Sequence, residues 1–304
     1  MKKWLKYLII GLGVLVLVLF IGLLFVTRGQ ASELVNNPME ERREMVETPS
    51  DYDLAYEDVT TVNASGIELA GWFVPGENDA VIMMHHGYKG DRQSLLEEAQ
   101  LLHPLGYNIL FTSMCAHDKN EGEMIYFGQV EMEDLEAWYQ HLLNRDDIDP
   151  DKIGLLGNSL GGTMAIQFAA QNESIKAVVV HTPFSSLEDT VTTSVGHFLD
   201  VPDWVAVIIA PFITFWAEQD LGFDVAEVDA TLWAGDIAPR PLLVLQAEKD
   251  EVVSAEGGKA IYEAAREPKE LWVCELCDHT EFEKRMPAQF TRRVGDFFER
   301  NLSG

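Results

Sequence analysis

A serine with glycines two positions to either side is the feature of this sequence best suited to chemistry. Ser159 is the centre of Gly157-Asn158-Ser159-Leu160-Gly161, which follows the apolar run Ile153 to Leu156 and precedes the small-residue stretch Gly162 to Ala170. A sharp turn between a strand and a helix projects a serine hydroxyl toward a base, and it leaves backbone N–H groups free to receive an oxyanion. The pattern therefore predicts that Ser159 is a nucleophile.

A serine hydroxyl becomes a useful nucleophile when a histidine, itself held by a carboxylate, takes its proton. The chain has eight histidines, and His279 is the one that lies beyond residue 197, a few residues after the last apolar run. Asp250 comes shortly after the preceding apolar run, where an orienting acid is expected. Glu248 is an alternative acid, and Asp278 is a poorer one. Ser159, Asp250 and His279 are thus the predicted catalytic triad.

An oxyanion needs hydrogen-bond donors, and the sequence offers them in two places. His86-Gly87-Tyr88 follows the apolar run Ala80 to Met84, and Gly87 permits a close approach of the backbone. Leu160 begins a helix, whose amino end favours an anion. We therefore predict an oxyanion hole made by the backbone N–H groups of Tyr88 and Leu160, with His86 as a structural hydrogen-bonding residue rather than a base.

Apolar runs and helical stretches alternate along the chain after residue 56. Continuous apolar runs joined by helices indicate a parallel sheet that is covered on both faces. The pattern predicts an α/β fold with a mostly parallel central sheet, preceded by a hairpin at Asp58 to Val62 and Glu68 to Val74. The further predicted strands are Ala80 to His85, Asn108 to Thr112, Ile153 to Leu156, Ala177 to His181, Pro241 to Gln246 and Leu271 to Glu275, and the predicted helices include Ser94 to Leu102, Val130 to Leu143 and Thr163 to Ala170.

The segment from residue 184 to 236 interrupts this alternation, because a crossover between parallel strands needs only about 12 residues. Its apolar stretch, Trp204 to Trp216, is too short to span a bilayer. We interpret the segment as a small helical cap over the active site. Trp204, Phe212, Phe215 and Trp216 are the predicted lining of an apolar acyl pocket, and ordinary packing of the cap on the core is the alternative.

The amino terminus carries a membrane signal. Every residue from Leu8 to Val26 is apolar or glycine, which is long enough for one transmembrane helix. A cleaved signal peptide is the alternative, although its apolar region is usually shorter. Lys2, Lys3 and Lys6 precede the helix and predict a cytoplasmic amino terminus and an outward-facing catalytic domain. The predicted organisation is an anchor at 1–28, an acidic juxtamembrane stalk at 29–55 and the α/β domain, with its cap, at 56–304.

Charge and cysteine content exclude several functions. The formal net charge of −28 argues against nucleic acid as a partner, because phosphate binding needs clustered lysine and arginine. Three cysteines do not make a disulfide scaffold. The CxxC spacing of Cys274 and Cys277 lacks two further zinc ligands nearby, so free or buried thiols are the favoured state and a local disulfide is the alternative. No metal or cofactor is predicted, and the sequence carries no signal for an oligomeric state.

Together these residues resemble the α/β-hydrolase superfamily from about Asp58 to the carboxyl terminus. The resemblance is carried by His86-Gly87, by the stretch around Ser159, by Asp250-Glu251-Val252-Val253 and by His279. Within the superfamily the chain is similar to bacterial membrane-anchored hydrolases of the serine aminopeptidase-like or acyl-CoA thioesterase-like type. Such relatives often carry Asp-x-Arg-x-His-Gly-x-Ser-x-Gly after the fourth strand. The corresponding segment here, 113–122, keeps His117 and Gly122 and lacks the other residues of that pattern.

The expected activity is hydrolysis of carboxylic esters through an acyl-enzyme. Ser159 would attack the carbonyl, and His279 would take and return the proton. Thioester cleavage, peptide cleavage and acyl transfer use the same triad and stay open. Two further alternatives are a non-catalytic, membrane-tethered binding module and a metal-dependent hydrolase that uses His85 and His86. Adjacent histidines at a strand end point to opposite faces, which disfavours the metal site.

Overall fold

A sheet of eight strands runs through the centre of the computed structural model, which describes residues 3–303. Lys2, one of the basic residues that predict a cytoplasmic amino terminus, lies outside the described residues. The strand order in the sheet is β1-β2-β4-β3-β5-β6-β7-β8, with β1 and β2 antiparallel to their neighbours and all other pairs parallel. The strands are β1 (Glu57–Val62), β2 (Glu68–Val74), β3 (Val81–His85), β4 (Asn108–Thr112), β5 (Ile153–Asn158), β6 (Ala177–His181), β7 (Leu242–Ala247) and β8 (Lys269–Cys274).

Helices cover both faces of this sheet. Alternate residues of one strand belong to different cores: Met83 packs in the core that contains α3 and α4, whereas Ile82 and Met84 pack in the core that contains α2 and α10. Burial on both sides explains why the central strands are continuously apolar. The predicted α/β-hydrolase architecture is confirmed. The helices are α1 (Lys3–Val35), α2 (Leu96–Leu102), α3 (Met132–Leu143), α4 (Leu160–Gln171), α5 (Leu187–Phe198), α6 (Asp203–Leu221), α7 (Thr231–Ala234), α8 (Gly257–Ala264), α9 (Phe282–Arg285) and α10 (Pro287–Leu302).

The helical insertion between β6 and β7 contains α5, α6 and α7. Ser186 caps the amino end of α5 by accepting a hydrogen bond from the N–H of Asp189. Helix α6 ends at Gly222, whose φ of 81° is the left-handed conformation typical of a helix carboxyl end. Helices α5 and α6 pack on each other as a hairpin, with Ala206 against Gly196. This hairpin is the cap that the sequence predicts.

The amino-terminal region differs from the predicted stalk. Helix α1 continues to Val35 rather than ending near residue 28, and Ala31 and Val35 are fully buried in the hydrolase core. The chain that follows lies on the domain: Asn37 Nδ2 donates to Ala116 O at 2.7 Å, and Arg42 donates to the carbonyl of Asn120 at 2.6 Å. Small apolar residues one helical turn apart form a stripe that buries well, and this stripe holds the end of α1 against the domain.

The cysteines also differ from the favoured prediction. Cys274 and Cys277 form a disulfide, and Cys115 is a buried free thiol. Cys274 ends β8, and the chain turns directly afterwards, so that the two Cα atoms lie 5.5 Å apart. That separation is typical of disulfides. The alternative in the sequence prediction is therefore the state found in the structure.

Candidate active site

Ser159 lies in the turn between β5 and α4. Its φ of 52° and ψ of −118° are strained for a residue with a side chain. A Cβ atom at Gly157 would overlap the backbone of Gly161, and a Cβ atom at Gly161 would overlap the carbonyl oxygens of His85 and His86. The two glycines are therefore required where strand, turn and helix approach one another. This tight turn projects a serine at the carboxyl end of the central strand.

Asp250 and His279 meet although they are far apart in sequence. Asp250 Oδ2 lies 2.7 Å from His279 Nδ1. The other oxygen of Asp250 accepts hydrogen bonds from the N–H groups of Val252 and Val253, at 3.0 and 2.8 Å. The carboxylate side chain is fully buried, whereas 18% of the histidine side chain is exposed. The carboxylate thus fixes the tautomer with hydrogen on Nδ1 and leaves Nε2 as the basic nitrogen.

Ser159 and His279 line one cavity of about 530 Å³. Within residues 3–303 no hydrogen bond joins the hydroxyl of Ser159 to the ring of His279. In a site without substrate, catalytic hydrogen bonds are often long and tighten when substrate binds. The structure therefore brings all three predicted triad residues to one site, with the pair Asp250 and His279 already joined.

Two backbone N–H groups beside Ser159 have no hydrogen-bond acceptor in the described part of the chain. They belong to Tyr88 and Leu160, the predicted oxyanion donors. Leu160 is the first residue of α4, so its N–H has no partner within the helix. The loop after β3 is equally near, since a Cβ atom at Gly87 would lie 3.9 Å from Ser159 Oγ. Both donors are thus available to an oxygen placed next to the hydroxyl.

Two buried histidines support the loop that carries Tyr88. The N–H of Lys89 donates to His117 Nε2 at 3.2 Å, and His117 Nδ1 lies 2.9 Å from the carbonyl of Cys115. The ring of His86 packs against that of His117 with centroids 4.9 Å apart. Burial lowers the pKa of both imidazoles, so both stay neutral at pH 7. His86 has a structural place here, as the sequence predicts.

The segment 113–122, which departs from the pattern of similar hydrolases, has its own means of support. Asp118 accepts a hydrogen bond from Arg92 Nε at 2.6 Å, and both side chains are almost completely buried. The guanidinium of Arg92 also lies over the ring of Trp72, 4.3 Å from its centroid. Asn120 receives the N–H of Ala70 at 2.9 Å. These contacts hold His117 in place without the usual residues of that segment.

The four aromatic residues predicted to form the pocket lie elsewhere. Trp204 and Phe215 are exposed, Phe212 contacts Phe20 of α1, and Trp216 is not part of the cavity wall. Helix α6 turns these side chains away from Ser159. The apolar lining comes instead from Leu34 near the end of α1, from Phe184 in the loop after β6, and mainly from α5, which contributes Leu187, Val191, Val195 and Phe198. The composition of the cap does not indicate that α5, rather than the aromatic residues of α6, faces Ser159.

Comparison with known proteins agrees with this architecture. A family model described as the alpha/beta hydrolase fold matches residues 80–262, more than half of the chain. The chain belongs to the α/β-hydrolase family. Among solved structures, this hydrolase is similar to the Pyrococcus furiosus esterase Pf2001, with a TM-score of 0.75, 25% identity, and coverage of 88% of this chain and 98% of that one.

Similar curated proteins come from bacteria and a plant. Rv2307c of Mycobacterium tuberculosis is 27% identical over 227 residues, which cover 74% of this hydrolase and 72% of the relative. The alpha/beta hydrolase domain-containing protein WAV2 of Arabidopsis thaliana is 25% identical over 236 residues, covering 73% and 71% of the two chains. The fold and its esterase neighbours support a hydrolase activity.

A second histidine–carboxylate group, which sequence reasoning missed, lies behind the serine turn of this hydrolase. Asn158, the residue before Ser159, donates from Nδ2 to Glu98 at 2.6 Å. His181 lies between Glu98 and Glu283, with Nδ1 3.6 Å from the first carboxylate and Nε2 3.8 Å from the second. Burial and the charge of Glu98 raise the pKa of Glu283 to about 9. Because Glu98 and Glu283 come from distant helices, no spacing in the sequence reveals the group.

These three residues are also the candidate metal ligands in the described part of the hydrolase chain. One atom from each of Glu98, His181 and Glu283 lies within 4.8 Å of the others. The nearest contacts of the His181 ring with the two carboxylates, at 3.6 and 3.8 Å, are longer than hydrogen bonds. His85 and His86 join no such group among residues 3–303, since His85 Nδ1 contacts Thr112 Oγ1 at 2.7 Å.

Proposed function

We propose that this chain is a serine hydrolase that cleaves carboxylic esters through an acyl-enzyme. The observation that carries the proposal is the contact between Asp250 and His279 at 2.7 Å beside a serine held in a strained turn. In this mechanism His279 Nε2 takes the proton of Ser159 Oγ as the oxygen attacks the carbonyl carbon. Asp250 stabilises the imidazolium that forms. The N–H groups of Tyr88 and Leu160 stabilise the negative oxygen of the tetrahedral intermediate.

The second half of the reaction uses the same groups in reverse order. The imidazolium of His279 gives its proton to the leaving alcohol as the bond to that alcohol breaks. Water then attacks the acyl-enzyme, with His279 again as the base, and Ser159 is regenerated as the acid departs. No cofactor or metal takes part. Esters are the favoured substrates, because Pf2001 is an esterase. Thioesters, peptides and acyl transfer to another acceptor use the same triad.

The proposal extends to the place of the enzyme in the cell. Helix α1 is long and apolar enough to cross a membrane, with a mean hydropathy of 3.2 over its most apolar window. We propose that it is a single-pass anchor with a cytoplasmic amino terminus and an outward-facing domain at 56–304, as expected for a membrane-anchored hydrolase of the serine aminopeptidase-like or acyl-CoA thioesterase-like type. Residues 29–55 then connect anchor and domain as a segment packed on the domain.

Labelling with a fluorophosphonate probe tests the nucleophile. The wild-type protein is expected to be labelled, and Ser159→Ala is expected to lose the label, because the probe phosphonylates an activated serine. Ser194→Ala is the matched control, since it removes another hydroxyl that lines the same cavity. Labelling of Ser159→Ala at the wild-type level would contradict the proposal.

Turnover of p-nitrophenyl acetate distinguishes the enzyme from a non-catalytic binding module. We expect the wild-type protein to hydrolyse this ester and the His279→Ala variant to lose the activity while it still unfolds cooperatively. A wild-type protein that binds the probe but turns over no ester, thioester or peptide would favour the binding module.

A further inference from the structure

The anchor helix is joined directly to the active-site loop. Tyr88 Oη donates to the carbonyl of Leu34 at 2.7 Å, and Lys89 Nζ donates to the carbonyl of Glu33 at 2.8 Å. These carbonyls lie in the last turn of α1, where a helix has no internal donors for them and where a positive charge is favourable. The loop that offers the Tyr88 N–H is therefore fixed to the membrane helix. The height of the active site above the bilayer is set by this contact.

Helix α6 of the cap lies beside the same anchor. The rings of Phe20 and Phe212 meet with centroids 6.2 Å apart, and Arg28 forms an ion pair with Asp220. Both contacts are eight residues apart in each helix, so α6 runs parallel to α1. Phe20 lies six residues before Val26, the end of the apolar run, which corresponds to about 9 Å of helix. Phe212 is thus at the depth of the acyl chains.

The outer face of α6 is apolar and has no partner among residues 3–303. Trp204, Val207, Ile208 and Phe215 are exposed, as is Phe198 at the end of α5. No charged residue occurs between Asp203 and Glu218. Such a face is unfavourable in water. Because it continues the exposed apolar surface of α1, the lipid bilayer is the occupant that fits it.

The wall of the cavity that contains Ser159 includes residues of both helices. Its wall includes Ile213 of α6 and Gln30 of α1, together with the apolar side chains of α5. Gln30 is four residues beyond Val26, or about 6 Å along the helix. The cavity wall therefore begins within about two helical turns of the end of the apolar run.

We propose that the α5–α6 hairpin inserts into the bilayer beside α1, and that the enzyme takes its substrate, a lipid with a long-chain ester, directly from the membrane. Asp200 lies in the turn before α6, and Asp203 is the first residue of that helix. In the parallel register Asp203 lies beside Gly11, about 5 Å of helix from Leu8 at the cytoplasmic end of the apolar run, so its carboxylate is within reach of the headgroups on that side. The substrate part of the proposal rests on the serine hydrolase function above, whereas the insertion part does not.

Fluorescence quenching tests the insertion on the full-length protein in phosphatidylcholine vesicles. Val207→Cys and Val62→Cys carry a polarity-sensitive label, and the two positions are matched in exposure, at 60% and 58%. The native cysteines do not compete, because Cys115 is buried and the other two form a disulfide. Nitroxide lipids with the spin label on the acyl chain are expected to quench the label at residue 207 and not at residue 62, on the edge strand β1. Equal quenching at both positions would overturn the insertion.

Activity with two substrates tests the lipid preference. Val207→Glu places a charge on the inserted face of α6. We therefore expect about tenfold slower hydrolysis of monoolein in vesicles, and unchanged hydrolysis of p-nitrophenyl acetate, which is soluble in water. Val62→Glu is expected to match the wild type with both substrates. An equal effect of Val207→Glu on both esters, or no effect on either, would overturn the lipid preference. If the wild-type protein hydrolyses neither ester, the proposed function itself has failed, while the quenching result still stands.

Discussion

Two histidines lie near the carboxyl ends of strands in the central sheet: His181 ends β6, and His279 follows β8. Each lies close to at least one carboxylate, but their surroundings differ. His279 Nδ1 lies 2.7 Å from Asp250, and part of its ring is exposed to the cavity. His181 is fully buried between Glu98 and Glu283, and neither of its nitrogens has a hydrogen-bond partner within the described residues. The same residue types thus form one open, hydrogen-bonded pair and one sealed, loosely contacted group.

The comparison shows how exposure assigns a role to such a group. A general base needs one nitrogen that is fixed and another that reaches the substrate, and its charged form must be tolerated. His279 meets these conditions, since a buried carboxylate stabilises its imidazolium. Burial lowers the pKa of His181, so it stays neutral and cannot exchange protons with a substrate. We therefore expect chemistry at the first site and support of the serine turn at the second.

Substitution of each histidine in turn is the strongest test of the difference between the two sites. His279→Gln is expected to lower kcat for p-nitrophenyl esters by a factor on the order of 10⁶, because the base is lost. His181→Gln is expected to keep kcat within about tenfold of wild type, since only the backbone carbonyl of His181 holds Ser159, through the serine N–H at 2.9 Å. Steady-state kinetics of both purified variants provide the measurement. A larger loss in the His181 variant would reverse the assignment of roles.

Substitution of Asp250, the acid beside His279, is expected to have the next largest effect on kcat. Asp250→Asn is expected to lower kcat by a factor on the order of 10⁴, because the amide no longer fixes the tautomer or stabilises the imidazolium. Glu248→Gln and Asp278→Asn, which alter the two alternative acids of the sequence prediction, are the matched controls and should retain wild-type kcat. A loss at Glu248 in place of Asp250 would identify a different acid.

Local signals explain why the open site can be predicted from the sequence. Gly157 and Gly161 stand two residues to either side of Ser159 in one short motif, and Asp250 and His279 each follow a strand that is visible as an apolar run. In a parallel sheet the carboxyl ends of strands meet at one edge, so chain order alone brings these residues together. The same reasoning gives the sheet, because its central strands are apolar on both faces.

The parts that could not be predicted depend on packing between distant segments. Glu98 lies on α2 and Glu283 on α9, and their meeting around His181 requires the positions of both helices. The burial of Ala31 and Val35 depends likewise on a groove formed by the folded domain. For α6, composition indicates an apolar helix but not which face turns toward Ser159. The prediction that Trp204 and Phe215 line the pocket is therefore wrong.

Glu98 offers a smaller effect that concerns stability rather than catalysis. Glu98→Ala removes the acceptor of the Asn158 side chain and leaves that buried amide unpaired, which is expected to lower the free energy of unfolding by about 1–3 kcal/mol. Glu98→Gln keeps an oxygen acceptor and should be affected less. Denaturant unfolding of the detergent-solubilised protein measures both. A stability of Glu98→Ala equal to wild type would mean that the contact contributes nothing to the serine turn.

The smallest effect is a change in pH dependence. The pKa of Glu283 rises to about 9 in the folded protein because burial and the charge of Glu98 oppose its ionisation, whereas its ordinary value is 4.5. The folded state therefore keeps a proton that the unfolded chain loses above about pH 4.5, and this contribution to stability decreases as pH rises toward 9, by at most about 1.4 kcal/mol per pH unit.

Glu283→Gln imitates the protonated acid and cannot ionise. The loss of stability with rising pH that is due to Glu283 should therefore be absent in this variant. The melting temperatures of the two proteins are measured between pH 6 and pH 8. The melting temperature of the variant, relative to that of the wild type, should rise as the pH rises. Parallel curves would show that Glu283 is already ionised in the folded state. In that case the sealed site would carry two negative charges around His181, and a positive charge, either on the imidazole ring or on a bound cation, would have to balance them.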